Sequence, residues 1–221
     1  MHRRAVIFDM DGVLIDSYHA HLEAWQRLGE ELGRPVTEEA FIPTFGRRNP
    51  EIFAHLWGED FSADQVDHWG DWKEVVYRRI ITEHFPAMDG AVELLDALKA
   101  AGFALAIGSS GPIENVEAAI AGLRRPDLVD AIVSRDDVTR GKPDPEVFLK
   151  TAEKLRIEPR RCAVVEDALV GLEAAARAGM APIALVGTYL REELAPKAAL
   201  VVDSLRELSP EVIARLIDRA G

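Results

Sequence analysis

Short apolar runs punctuate the chain at Ala5–Phe8, Phe103–Ile107, Ala131–Val133, Cys162–Val165, Pro182–Val186 and Leu200–Val202. Within them hydrophobic residues are continuous rather than alternating with polar ones. That predicts strands buried on both faces, the habit of parallel sheets. Between most of the runs, apolar positions recur at helical spacing. Val92, Leu94, Leu95 and Leu98 fit one helix, closed by Gly102. Val147, Phe148, Thr151 and Leu155 fit another, with Asp144 as its N-cap and Pro145 in its first turn. The alanine-rich stretch Ala168–Ala178 stops at Gly179, a residue suited to the position past a helix end. Strands alternating with helices predict an α/β fold, with helices on both faces of a parallel sheet.

One region breaks the alternation. From Asp16 to about His84 every signal is helical. His19–Leu32 reads as a helix ending at Gly33. Asn49-Pro50 opens a second, which Gly58 closes, and Ser62-Ala63-Asp64-Gln65 is a capping box for a third that runs toward Thr82. The expected division is a core of residues 1–15 and 86–221 and a helical insert of residues 16–85. The insert leaves the core beside the carboxyl end of the first strand, where open parallel sheets bind their ligands. A lid is the implied arrangement, with Ile15–Ser17 and Phe85–Asp89 as hinges.

The 221 residues are 48% hydrophobic and 29% charged, enough for one sizeable core and a smaller insert. A formal net charge of -12 argues against nucleic acid or an anionic membrane as partner, because nothing broad would neutralise phosphates. A small phosphorylated ligand needs only a local positive site. No run approaches the length of a membrane span. Arg3 and Arg4 before apolar residues resemble the start of a signal peptide, but Asp9 and Asp11 interrupt the apolar part, and a cytoplasmic protein is expected. The lone cysteine, Cys162, permits no disulfide within the chain and suits a reducing compartment. Its apolar surroundings mark it as core rather than nucleophile.

The first strand ends in Asp9-Met10-Asp11-Gly12. Two carboxylates so placed repel unless a cation or a shared reaction holds them. The other strand ends supply the missing parts. Gly108-Ser109-Ser110-Gly111 follows the second, Ser134-Arg135-Asp136-Asp137 and then Gly141-Lys142-Pro143-Asp144 the third, and Glu166-Asp167 the fourth. Asp9, Glu166 and Asp167, with a backbone carbonyl, make an all-oxygen set suited to Mg2+. Ser109, with Ser110 as its competitor, and N–H groups at the next helix start can hold phosphate oxygens, the same hydroxyl serving as N-cap. Lys142 offers a point charge to a transferring phosphoryl group, and a carboxylate can attack its phosphorus. Asp136 and Asp137 read as loop surface.

Asp9-Met10-Asp11-Gly12-Val13-Leu14 closely resembles the first motif of the haloacid dehalogenase-like (HAD) superfamily. Ser109, Lys142 in Gly141-Lys142-Pro143-Asp144-Pro145, and Glu166-Asp167 followed by Gly171 resemble the other three, in order and over essentially the whole chain. The insert resembles the small α-helical cap of the β-phosphoglucomutase and phosphatase branch, on a Rossmann-like core. The resemblance implies roles. Asp9 is the nucleophile. Asp11 protonates the leaving oxygen and later deprotonates the attacking water. Mg2+ is held by Asp9, the main-chain carbonyl of Asp11 and Asp167, with Glu166 bound directly or through water. In the cap, His21 matches a histidine that the family uses near the general acid. Gly46 and Arg47, within Thr44-Phe45-Gly46-Arg47-Arg48-Asn49, resemble its substrate-specificity loop, and Lys73 stands where relatives place a cap lysine. A lone lysine on an amphipathic helix is otherwise expected to face solvent. Trp25, Trp57, Trp69 and Trp72 read as packing for a small lid.

Among the family's chemistries, dehalogenation needs neither Asp11 nor the metal-binding carboxylates. Phosphonate hydrolysis needs a Schiff-base lysine from the lid. A β-phosphoglucomutase needs a second phosphate site there, and its specificity-loop lysine is replaced here by Phe45. The expectation is a Mg2+-dependent phosphatase acting on a small phosphorylated metabolite of the sugar phosphate kind, with the mutase as alternative and a monomer as default. A binding module that has lost turnover is disfavoured by the intact Asp9 and Asp11.

Overall fold

The computed structural model describes residues 3–45, 47–58, 60–125, 127 and 129–220. Its strands are β1 (Ala5–Phe8), β2 (Ala104–Gly108), β3 (Ala131–Val133), β4 (Cys162–Glu166), β5 (Ala181–Leu185) and β6 (Leu200–Val202). Its helices are α1 (Tyr18–Glu31), α2 (Glu38–Phe41), α3 (Asn49–Trp57), α4 (Ala63–Glu83), α5 (Ala91–Ala100), α6 (Ile113–Leu123), α7 (Glu146–Leu155), α8 (Leu169–Arg177), α9 (Arg191–Leu194) and α10 (Pro210–Ala220). The chain divides into two compact units, Met1–Asp16 with Ala87–Gly221, and Ser17–Pro86.

In the first unit all six strands pair in parallel, in the order β3-β2-β1-β4-β5-β6. Every residue of β1, β2 and β4 is buried, as continuous apolar runs require when helices cover both faces. On one face Ala5, Ile7, Ala104, Ala106, Cys162 and Val164 meet Val147, Phe148 and Ala152 of α7 and Ala174 and Ala175 of α8. The small residues on both sides let α8 lie close to the sheet. Cys162 belongs to this core. Burial pushes its thiol up to about 12, so it is no nucleophile at neutral pH.

Register decides where the chemistry collects. Phe8 pairs with Ile107 on one side and Val165 on the other. The next residue, Asp9, is therefore level with Gly108 and Glu166. Its N–H donates to Val165 O at 2.9 Å, and Ser109 N–H donates to Val133 O at 3.0 Å. The strand order reverses at β1, and such a switch point opens a crevice at the carboxyl ends. Where the chain leaves and re-enters this unit, Ile15 bridges Ala87 in antiparallel fashion and Met88 N–H donates to Leu14 O at 3.0 Å.

The helical unit is built on aromatic packing. Leu22, Trp25 and Leu28 of α1 meet Phe41, Ile52 and Phe53, with Trp57, Trp69 and Trp72 packed around them. Full burial of a large apolar side chain contributes up to about 3 kcal/mol, so a few aromatics supply much of a small unit's core. The capping box at α4 is present in both halves: Ser62 Oγ accepts from Gln65 N–H at 3.3 Å, and Gln65 Oε1 accepts from Ser62 N–H at 2.9 Å.

Two details differ from the sequence reading. Helix α2 is one turn, capped by Thr37, too short to show a periodicity. Helix α7 begins at Glu146 with Pro145 at the N-cap, and Asp144 Oδ1 accepts from Glu146 N–H at 3.0 Å from one residue further out. Proline has no N–H, so the first donor available to Asp144 is that of Glu146.

Candidate active site

Two strand ends and one loop of the sheet unit bring four charged side chains together. Asp9, Glu166 and Asp167 each offer an oxygen within 4.8 Å of the others. They are 8%, 1% and 3% exposed, so water does not separate their charges. Lys142 Nζ donates to Asp9 Oδ1 and to Glu166 Oε1, both at 2.7 Å, and lies 5.0 Å from the Phe148 ring centroid. Burial opposes the ammonium, but the two carboxylates override it and hold Lys142 above the usual lysine range. Burial drives the Asp9 carboxyl up to about 7 against the pull of Lys142, and Glu166 and Asp11 push the same way. Asp167 is raised as well, by burial and then by Glu166 and Asp9. One ammonium is too little positive charge for this cluster. Hard oxygen donors crowded in this way are the set a small divalent cation takes.

Two glycines make the crowding sterically possible. A Cβ on Gly171 would stand 1.7 Å from Glu166 Oε1, and one on Gly12 would stand 2.2 Å from Asp167 Oδ2. Gly12 also has φ +77°, which the tight turn after Asp9 requires. In that turn Gly12 N–H donates to Ile15 O at 2.8 Å and Leu14 N–H to Met10 O at 2.9 Å. Asp11 sits half-buried within the turn, near enough for its charge to act on Asp9.

Ser109 is buried and Ser110 exposed. Ser109 Oγ accepts from Gly111 N–H at 3.0 Å, so the hydroxyl serves a tight turn rather than the helix start. The expected N-cap role belongs elsewhere. Pro112 holds the N-cap position of α6, and Asp136 Oδ2 accepts from Ile113 N–H at 2.8 Å. A carboxylate at that end is favoured by the helix dipole. Asp137 accepts from Ser134 N–H at 2.9 Å and pairs with Lys154 at 3.1 Å, outside the metal-type cluster.

Sequence reasoning missed two residues. Glu146 clamps the loop that carries Lys142, accepting from Thr139 N–H at 3.2 Å, Thr139 Oγ1 at 2.9 Å and Arg140 N–H at 3.0 Å. Its place in the first turn of a helix signalled only a dipole partner. Thr188, after β5, donates its hydroxyl to Asp167 Oδ2. Nothing in its local sequence marks it.

The helical unit holds the remaining candidates, described within that unit alone. Lys73 is 2% exposed, contrary to a solvent-facing lysine. Its Nζ meets His21 Nδ1 at 2.8 Å and Glu74 Oε1 at 3.2 Å, and lies 5.6 Å and 5.4 Å from the Trp25 and Tyr77 ring centroids. These partners offset burial of its charge. An ammonium only donates, so His21 Nδ1 accepts and the imidazole proton is assigned to Nε2. The His21 ring stacks on Tyr77 at 4.0 Å. Asn49 Nδ2 donates to Glu74 Oε1 at 3.0 Å. Arg47 is exposed, its N–H donating to Thr44 O at 3.0 Å, and Gly46 lies outside the described residues.

Comparison with known proteins places this arrangement. The chain is 36% identical to validoxylamine A 7'-phosphate phosphatase of Streptomyces hygroscopicus subsp. limoneus, over 90% of this chain and 93% of the relative. It is 33% identical to a phosphorylated carbohydrates phosphatase of Thermotoga maritima, over 96% and 97%. The solved β-phosphoglucomutase of Clostridium difficile superposes with a TM-score of 0.85 at 26% identity, covering 98% of each chain. Residues 3–179 match the family described as haloacid dehalogenase-like hydrolase. With its parallel sheet, its strand-end carboxylates and these relatives, the chain belongs to the haloacid dehalogenase-like hydrolases.

Proposed function

We propose that this enzyme is a Mg2+-dependent phosphatase of small phosphorylated metabolites, of the sugar phosphate kind, working through an aspartyl phosphate on Asp9. The observation that carries the reading is Lys142 held at 2.7 Å from both Asp9 and Glu166, at the rim where Asp167 completes a carboxylate cluster. Mg2+ bound by Asp9, Asp167 and the Asp11 carbonyl, beside Glu166, would neutralise phosphate charge. Both oxygens of Glu166 have protein donors, Lys142 and the Ala168 N–H at 2.7 Å, so its first task is to hold Lys142 in place.

The residues then divide the work. A carboxylate oxygen of Asp9 attacks phosphorus, and the bond from phosphorus to the substrate's ester oxygen breaks. Asp11, protonated, gives its proton to that oxygen. As a carboxylate it then takes a proton from the water that attacks the acyl phosphate and restores Asp9. Ser109 and the N–H groups of its turn hold phosphate oxygens, and Lys142 balances their charge. In the helical unit, the cap of this reading, His21, Lys73, Gly46 and Arg47 select the rest of the substrate. The relatives named for carbohydrate phosphates support a polyhydroxylated one.

Hexose phosphate mutation is the second reading, favoured by the likeness to β-phosphoglucomutase. Phe45 speaks against it. It packs on Tyr18 at 5.3 Å and Phe41 at 6.1 Å, an aromatic contact where a second phosphate would want a cation. Phosphate release from a panel of sugar phosphates, with Mg2+ and with EDTA, tests both. Mg2+-dependent release that Asp9→Asn abolishes is expected. Interconversion of β-glucose 1-phosphate and glucose 6-phosphate, primed by glucose 1,6-bisphosphate, would establish the mutase instead. Neither activity would overturn both.

A further inference from the structure

We infer that Thr188 is a positioning residue for the cation site: its hydroxyl fixes which oxygen of Asp167 faces the metal. The inference rests on the proposed Mg2+ reading. Thr188 Oγ1 donates to Asp167 Oδ2, from a segment twenty-one residues downstream. The same oxygen also lies against Gly12, whose added Cβ would stand 2.2 Å from Oδ2 and 3.3 Å from Oδ1. Oδ2 thus accepts a hydroxyl and abuts a glycine, which leaves Oδ1 as the ligand atom for a cation shared with Asp9. The segment that brings Thr188 there is tied at both ends. Val186 N–H donates to Val202 O at 2.9 Å, and Leu190 N–H donates to Glu193 Oε2 at 2.9 Å. A carboxylate free to rotate would lose that freedom on each binding event, whereas one pinned by an anchored hydroxyl is already oriented. Partners that orient metal ligands in this way are typically worth about 10–100-fold in metal affinity.

Mg2+ affinity, read by calorimetric titration of the substrate-free protein, tests the inference without recourse to turnover. Thr188→Val keeps the shape and removes the donor. Its Kd should rise by about 10–100-fold, while Thr188→Ser, which keeps the hydroxyl, should stay at the wild-type Kd. Far-UV circular dichroism checks each fold. If valine perturbs it, the comparison passes to Thr188→Ala against Thr188→Ser, which differ by the hydroxyl. Wild-type Kd in the variants lacking the hydroxyl would overturn the inference and leave the phosphatase reading standing. Absence of Mg2+ binding to the wild type would overturn the metal reading itself, and this inference with it.

Discussion

Lys142 Nζ lies 2.7 Å from Asp9 Oδ1, though 133 residues separate them in the chain. The lysine is the described counter-charge to three buried carboxylates, so its removal acts on stability as well as on chemistry. Breaking a buried ion pair by deleting one partner typically costs about 3–5 kcal/mol. Lys142→Met should therefore lose about that much stability in EDTA, recover part of it in Mg2+, and release no phosphate. Urea denaturation with and without Mg2+ reads all but the last. Equal stability of variant and wild type in EDTA would sink the electrostatic account of the cluster.

Gly171 is bound to Glu166 by space alone. An alanine there would put its Cβ 1.7 Å from Glu166 Oε1, a position no side chain can share. Glu166 would have to move, surrendering Lys142 and the Ala168 N–H together. Gly171→Ala should cost at least the ~1–3 kcal/mol of core overpacking and depress turnover sharply. Gly187→Ala is the control, since no atom lies within 4 Å of its added Cβ. It should melt within about 0.5 kcal/mol of wild type, as surface changes do.

Much of this was legible in the chain because burial on both faces writes itself as uninterrupted apolar runs. Ala5–Phe8, Ala131–Val133 and Leu200–Val202 begin and end where the sequence placed them, and the others shift by a residue. Asp9, Ser109, Lys142 and Glu166-Asp167 could be named because each stands at a strand end or in the loop after one, and parallel strands end on one rim. Strand order and register were not legible; they depend on which runs pair, which no single run encodes. The burial of Lys73 was hidden by its charge, although it shares the helical spacing of Gly70, Tyr77 and Ile81 on the buried face of α4. Its burial rests on His21, Glu74 and two rings supplied by the folded unit. Thr188 left no trace because its partner lies across a strand and a helix.

Glu146 sets a pH dependence. Its hydrogen bonds from Lys150, Thr139 and Arg140 hold its carboxyl down at about 2 in the folded chain, against about 4.3 in an unfolded one. A depressed carboxyl contributes stability that is fully present above the unfolded value and fades as pH falls through the folded one. Glu146→Gln should therefore be less stable than wild type at pH 7, and the difference should shrink between about pH 4 and pH 2. Urea midpoints across that range read it. A difference that stays constant with pH would mean that the clamp works through packing rather than charge.

In the helical unit, Lys73 Nζ lies 3.2 Å from Glu74 Oε1 with both side chains buried, at 2% and 7% exposure. Lys73→Met fills similar volume but leaves a buried carboxylate without its ammonium. The cost should be about 3 kcal/mol. If charge is the reason, changing Glu74 as well should restore most of the loss, because the second change removes the carboxylate whose ammonium the first deleted. Lys73→Met combined with Glu74→Gln, which keeps an oxygen for the Asn49 amide at 3.0 Å, closes the double-mutant cycle. Thermal melts of the four proteins should give a coupling of about 1–3 kcal/mol between the two sites. A Lys73→Met protein that melts with the wild type would mean that the ion pair with Glu74 adds nothing to the stability of the fold.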